Sequence, residues 1–438
     1  MRIPSWTHLL SGVAIATALL CAETLSTRAA SPSGPVPLAV PGRSSAAPWV
    51  AATGSFVAAA WGASLDGKTD IFVAVSRDGG ATFAPPVQVN RVRGEARVGG
   101  ELPPRVALVA STRSSAPEIV VLWTARTDTT EIKTARSRDG GRTFQVPMTL
   151  QTAGAAGDRG WPALALDRDG TAHALWLDHR GLARHRSAAT AEAGHRTGAA
   201  HDGVAMAQHS GLYYASVNRS PSQERELTTG VCYCCKTALL TDRAGTLYAA
   251  WRHVFAGNLR DIAFASSQDA GRSFTAPARV SEDGWAINGC PDDGPAMAVD
   301  ENGTVHLVWP SVVAGATPEG ALFYASAAAG RTFTRRTRIP TLGSPKPSHP
   351  QIVVDGTGRI AVAWDERVDG RRVAALRELR AVSGEVRFGE VVRLTADGPA
   401  MYPVLAATGD GLVAVWTTGG TPSSVASRAI RLPAFAKR

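Results

Sequence analysis

Four cysteines, Cys232, Cys234, Cys235 and Cys290, carry the sharpest chemistry in this 438-residue sequence. Three of them sit in Cys-Tyr-Cys-Cys-Lys, and Cys290 follows Cys235 by 55 residues. Disulfides are one outcome: four cysteines allow three pairings. A bridge from Cys290 to the cluster leaves the other pair to close within residues 232–235, where bonding between adjacent residues is strained. Thiolates that stay reduced are a second outcome, because soft sulfur ligands select copper(I) or zinc. Residues 232–236 also fit C-x-x-C-K, a relative of the haem-attachment pattern with lysine in place of histidine. The reading carried forward is a metal site for copper or zinc with Cys232, Cys234, Cys235, Cys290 and His253 as ligands. His179, His185, His195, His201 and His209 cluster around an insertion at about residues 180–209, and a histidine-rich stretch of this kind can gather metal.

The elements that must position these groups repeat. Each copy is a short apolar strand, a polar or Gly-containing turn, and a second apolar strand closed by tryptophan. Residues 162–176 (PALALDRDGTAHALW) and 295–309 (PAMAVDENGTVHLVW) are clear copies. The closing residues are Trp61, Trp123, Trp176, Trp251, Trp309, Trp364 and Trp416, spaced by 62, 53, 75, 58, 55 and 52 residues. Strand-rich repeats of this length predict an all-β propeller of four-stranded blades, seven by this count with six as the alternative. The fourth repeat reads as strands A to D over 237–241, 246–251, 261–266 and 278–281. The last repeat lacks a fourth strand, and residues 36–40 are spare to supply it, which would close the ring and remove an exposed edge. The 55-residue step from Cys235 to Cys290 is then one blade, so the cysteines should meet on one face.

Between strands C and D the pattern S-x-D-x-G-x-[ST]-F occurs at 76–83, 137–144 and 267–274, with a copy lacking the aspartate at 326–333. The physics is a hairpin turn: Asp78, Asp139 and Asp269 accept backbone N–H groups and glycine takes the positive-φ position. This pattern resembles the Asp box, or BNR repeat, of the sialidase superfamily. The resemblance implies a β-propeller with the boxes on the rim, away from the active face. It also implies an arginine triad for a substrate carboxylate, a Tyr–Glu nucleophile pair and an aspartate acid. Arg126, Arg180, Arg252 and Arg367 lie in loops of the right class, and Tyr402 with Glu366 is the matching pair. The family's early F/Y-R-I-P motif is missing, since the first strand reads Pro48-Trp-Val-Ala-Ala-Thr-Gly-Ser55. Arg338-Ile-Pro340 falls in a D strand, and Asp70, Glu131 and Asp261 repeat one position at the start of strand C.

In such a ring the D–A connections and B–C loops emerge on one face. They include 158–161, 232–236, 288–293, 346–349 and 401–402, and a small ligand, metal ion or glycan is expected at that mouth. The alternative activity is that of a sialidase-type glycoside hydrolase on acidic sugars; the second alternative is a disulfide-stapled protein scaffold. Nucleic acid is an unsuitable partner. The net charge is +9, but only five lysines occur and the arginines are dispersed without a clustered stripe. Residues 1–30 have the layout of a signal peptide, with an apolar run over 9–20. They predict an exported chain, with residues 31–438 as the propeller. Cys21 offers a lipoprotein anchor, although Leu20 before it is bulkier than that processing prefers.

Overall fold

The computed structural model describes Met1 and residues 34–431, except 111–115, 127, 151–155, 186–202, 218–223, 314–317, 383–384 and 397. The proposed leader with Cys21, and His195 and His201 of the insertion, lie outside the described residues. Seven antiparallel four-stranded sheets form a propeller, over 44–88, 105–149, 159–229, 238–279, 296–339, 348–393, and 400–430 with 36–38. A short strand, Ala96–Arg97, also joins the second blade by pairing with Glu118–Arg126. In the fourth blade the strands are Ala238–Thr241, Leu247–Arg252, Ile262–Ser267 and Ala278–Arg279, within two residues of the sequence reading. Val36–Leu38 supplies the outer strand of the last blade, with Val36 opposite Ser427 and Leu38 opposite Val425.

The core is not central but divided among the seven joints between blades. Each closing tryptophan is at most 1% exposed and packs into the joint with the preceding blade. Trp123 lies among residues of blades 1 and 2, Trp309 among those of blades 4 and 5, and Trp61 against the last blade. Burying a side chain of this size stabilises each joint by roughly 2–3 kcal/mol. The Asp boxes are built alike at the three full copies. Asp139 Oδ1 accepts the Ser137 hydroxyl and Thr143 N–H, Oδ2 accepts the Thr143 hydroxyl, and Ser137 Oγ accepts Gly141 N–H. Burial pushes the Asp139 carboxyl up, but these bonds outweigh it and hold it at about 2.

At one end of the channel the A–B turns repeat Asp-x-x-Gly, with Asp167, Asp242, Asp300 and Asp355. Each aspartate binds its own turn, as Asp300 Oδ1 accepts from Asn302 N and Thr304 N. These tight turns leave a bowl of about 730 Å³. At the other end the longer connections converge.

Candidate functional site

Strand A is re-aimed at this second end by a device that recurs in four blades. Ala47, Trp161, His349 and Tyr402 each precede a proline and have φ of 53°, 53°, 56° and 52°. The ladder register shifts across each of them. Such a bulge with a left-handed non-glycine residue is strained, and it turns the side chain out of the sheet. The dipeptides Ala-Pro, Trp-Pro, His-Pro and Tyr-Pro are the sequence signal, legible only once the repeats are aligned.

His349 and Tyr402 thereby meet, with ring centroids 4.2 Å apart. Asp365, fully buried within the B strand Ile360–Val368, binds both: its Oδ2 lies 2.8 Å from His349 Nδ1 and accepts Tyr402 N–H at 2.6 Å. Arg372 completes its shell. His349 N–H donates to Asp293 at 3.0 Å. Glu101 accepts the Lys236 ammonium at 3.3 Å and the N–H groups of Lys236 and Gly294. Donor atoms of Glu101, Asp293 and His349 lie within 4.8 Å of one another. Burial pushes Asp293 up to about 6, with Glu101 adding to the rise against the pull of His349. Burial opposes the charged form of His349, yet Asp365, Asp293 and Glu101 raise its pKa above the ordinary value. Arg105 stacks 3.7 Å over Trp49, and desolvation lowers its pKa to about 9. Five blades thus contribute Trp49, Glu101, Lys236, His349 and Tyr402 to one plug, which leaves a gap of about 10 Å³. That is room for about one water.

The cysteine corner lies beside this plug and corrects the metal reading. Cys234 and Cys290 form a disulfide between the connections that lead into blades 4 and 5, with Cα atoms 6.4 Å apart. Two of the four expected sulfur ligands are therefore consumed, and the copper or zinc expected there has no four-thiolate set to hold it. Cys232 and Cys235 remain as thiols, both buried, with Cys235 donating to Cys232 Sγ at 3.3 Å. His253 does not join them among the described residues. Its Nδ1 accepts Trp251 Nε1–H, its ring meets Phe255, and burial with Arg279 lowers its pKa to about 4. His185 and His209 of the insertion stack at 3.9 Å.

The four arginines do not converge. Arg180 is forked onto Asp178 and reaches Glu224. Arg252 is 1% exposed and donates to the carbonyls of Asp293, Arg260 and Pro310. Arg126 and Arg367 are exposed, the latter donating to Gly370 O. Glu366 is buried and accepts Trp364 Nε1–H and the N–H groups of Leu342 and Ser344. Tyr402 alone of that set reaches the mouth. Asp70 and Asp261 stay within their blades, held by Arg43 with Asn90 and by Arg279. Glu101, Asp293 and Asp365 carry more of the site than the arginines.

No family model matches the chain, and no curated protein matches it. Solved structures share its fold. The polysaccharide lyase Uly1 is similar with a TM-score of 0.50 and 10% identity, over 86% of this chain and 88% of that one. A protein of unknown function from Dyadobacter fermentans is similar with a TM-score of 0.49 and 13% identity, over 90% and 97%. A Hadza microbial sialidase, Hz136, is similar at 0.48 and 16%, over 84% and 74%. The resemblance to sialidase-type propellers holds at the level of the fold. Among the described residues no helix is long and apolar enough to cross a membrane.

Proposed function

We propose that this chain is a disulfide-stapled interaction scaffold that presents the loop-bearing face of blades 3 to 5 to a protein partner. The observation that carries this reading is a set of partly exposed aromatics: Trp161 and Tyr233 packed on the cysteines, Trp285 on Arg252 and Phe255 on His253. Arg97 stacks on Trp161, Arg252 on Trp285 and Arg279 on Phe255. Tryptophan, tyrosine and arginine on a rigid base are the residue types that dominate protein interfaces. Among the described residues, the gap beside His349 and Tyr402 holds about one water, less than the roughly 300–1,000 Å³ that small-molecule sites commonly occupy. The reading takes residues 1–30 as an export leader and 31–438 as the mature propeller, in keeping with the oxidising compartments where disulfides persist. A photo-crosslinker at position 233 should capture a discrete protein adduct, lost in Trp285→Ala and absent when the crosslinker stands at position 356 on the opposite face. Adducts from both faces alike, or turnover of a fluorogenic sialoside by the wild type, would overturn it.

A second reading, catalysis on acidic sugars, is favoured by the strained His349–Tyr402 pair over Asp365. It predicts release of new sugar ends from an acidic polysaccharide, abolished in His349→Ala and Tyr402→Phe.

A further inference from the structure

Cys232 and Cys235 lie one C-x-x-C step apart, and their sulfurs are 3.3 Å from each other. A disulfide needs about 2.05 Å, so closure asks for an approach of roughly 1.3 Å and the loss of two hydrogens. The side chains are 1% and 2% exposed and already point at each other. Their alternative partner is spoken for, because Cys234, within 4.8 Å of both sulfurs, is bridged to Cys290. Trp161, Tyr233 and Cys290 pack around the group. The connection is also anchored on either side: Cys232 N–H donates to Arg252 O, and Lys236 is held by Glu101 and Pro350 O. A further bridge therefore requires no rearrangement of either blade.

We propose that Cys232 and Cys235 form a second disulfide, so that the corner between blades 4 and 5 matures as two bridges, Cys234–Cys290 across the blades and Cys232–Cys235 within one connection. The pairing escapes the adjacent-residue strain of a Cys234–Cys235 bond. The Cys235 thiol donates to Cys232, and this bond, with Arg252 and Arg260 nearby, outweighs burial and lowers the Cys232 pKa to about 7. As the corner assembles, the approach of Cys235, Arg252 and Arg260 favours Cys232 as the attacking thiolate. Its thiolate attacks one sulfur of an oxidised small disulfide such as glutathione disulfide and expels one thiolate. Cys235, deprotonated in turn, attacks the Cys232 sulfur of the mixed disulfide and expels the second. Two electrons pass from the protein pair to the oxidant, which leaves as two thiols, and one sulfur–sulfur bond replaces another. The packed ring of Trp161 covers the pair, so closure belongs to the folding of the corner.

The test uses the full chain refolded in glutathione disulfide and reduced glutathione, then unfolded without reductant, alkylated and mapped by mass spectrometry. Cys232, Cys234 and Cys235 share one tryptic peptide, so the Cys234→Ser/Cys290→Ser variant resolves the pairing. Its peptide should be unalkylated and lighter by two hydrogens than the reduced form. The wild type should show that peptide joined to the Cys290 peptide with no alkylated cysteine. Alkylation of Cys232 and Cys235 in the oxidised wild type would overturn the proposal. So would a map joining Cys232 or Cys235 to Cys290. If the double variant fails to fold, Cys232→Ser alone decides: Cys235 should become alkylatable while Cys234–Cys290 persists, and an unchanged alkylation pattern would refute the pair.

Discussion

The two ends of the channel are made by the same seven repeats and end in opposite conditions. One is a bowl of about 730 Å³ rimmed by Asp-x-x-Gly turns; the other is closed to about 10 Å³ by side chains from five blades. The difference lies in backbone economy. An A–B turn is so short that its aspartate is used up in bonding its own N–H groups, and nothing is left to reach inward. The D–A connections are longer, and the left-handed residue before proline swings a whole side chain over the axis. Polar groups at the open end therefore stabilise turns, whereas those at the closed end bind residues 16 to 193 positions away in other connections and blades.

The comparison predicts unequal sensitivities. Removing the staple at the closed end with Cys290→Ser should cost most, about 4 kcal/mol for a loop of this length in the chain-entropy model, read as the denaturation midpoint against wild type. An unchanged midpoint would remove the staple from the list of what distinguishes the two ends. Gly294→Ala comes next. Its methyl would sit 2.1 Å from the Lys236 carbonyl oxygen, a clash with backbone that should cost on the order of 3 kcal/mol. Asp293→Asn addresses electrostatics. The folded pKa of Asp293, about 6, lies above its ordinary value of 3.8, so its stabilisation is full below that value and is lost as pH rises through 6. Wild-type stability should thus fall between about pH 4 and pH 7 by roughly 2 kcal/mol from this group, and the asparagine variant should flatten that slope. His349, also raised, adds a loss at higher pH that the variant retains in part. At the open end Gly245→Ala meets no atom within 4 Å, and only its φ of 87° penalises it, about 1 kcal/mol. Equal costs for Gly245→Ala and Gly294→Ala would erase the contrast.

The ring was legible because its signals are periodic. Tryptophans one blade apart, turn residues at fixed offsets and a missing last strand each stand at predictable places, and Val36–Leu38 lies where the gap required it. The alignment also put Cys290 beside the cysteine cluster. Periodicity stops short of deciding which neighbour a side chain chooses. Cys234 rather than Cys232 or Cys235 takes Cys290, and the four-sulfur metal site disappears with that choice. Arg252 and Glu366 lie not in the expected loops but within the strands Leu247–Arg252 and Ile360–Val368, where carbonyls, N–H groups and an indole claim them first. Glu101 escaped notice because its partners, Lys236 and Gly294, are 135 and 193 positions away. A carboxylate in a glycine-rich connection has no local pattern to give it away.

The strand Val36–Leu38 against residues 425–430 has a consequence for how the molecule is made. Six of the seven joints lie between blades adjacent in sequence, but the joint between the last blade and the first needs nearly the whole sequence. Until then the face of the first blade around Trp61 has no sheet to pack on, and the strand at 425–430 has one unpaired edge, surfaces that proteases and aggregation exploit. A chain cut short anywhere before its last blade has no way to hide that face. The closing strand therefore ties the burial of the first blade to the presence of the last one.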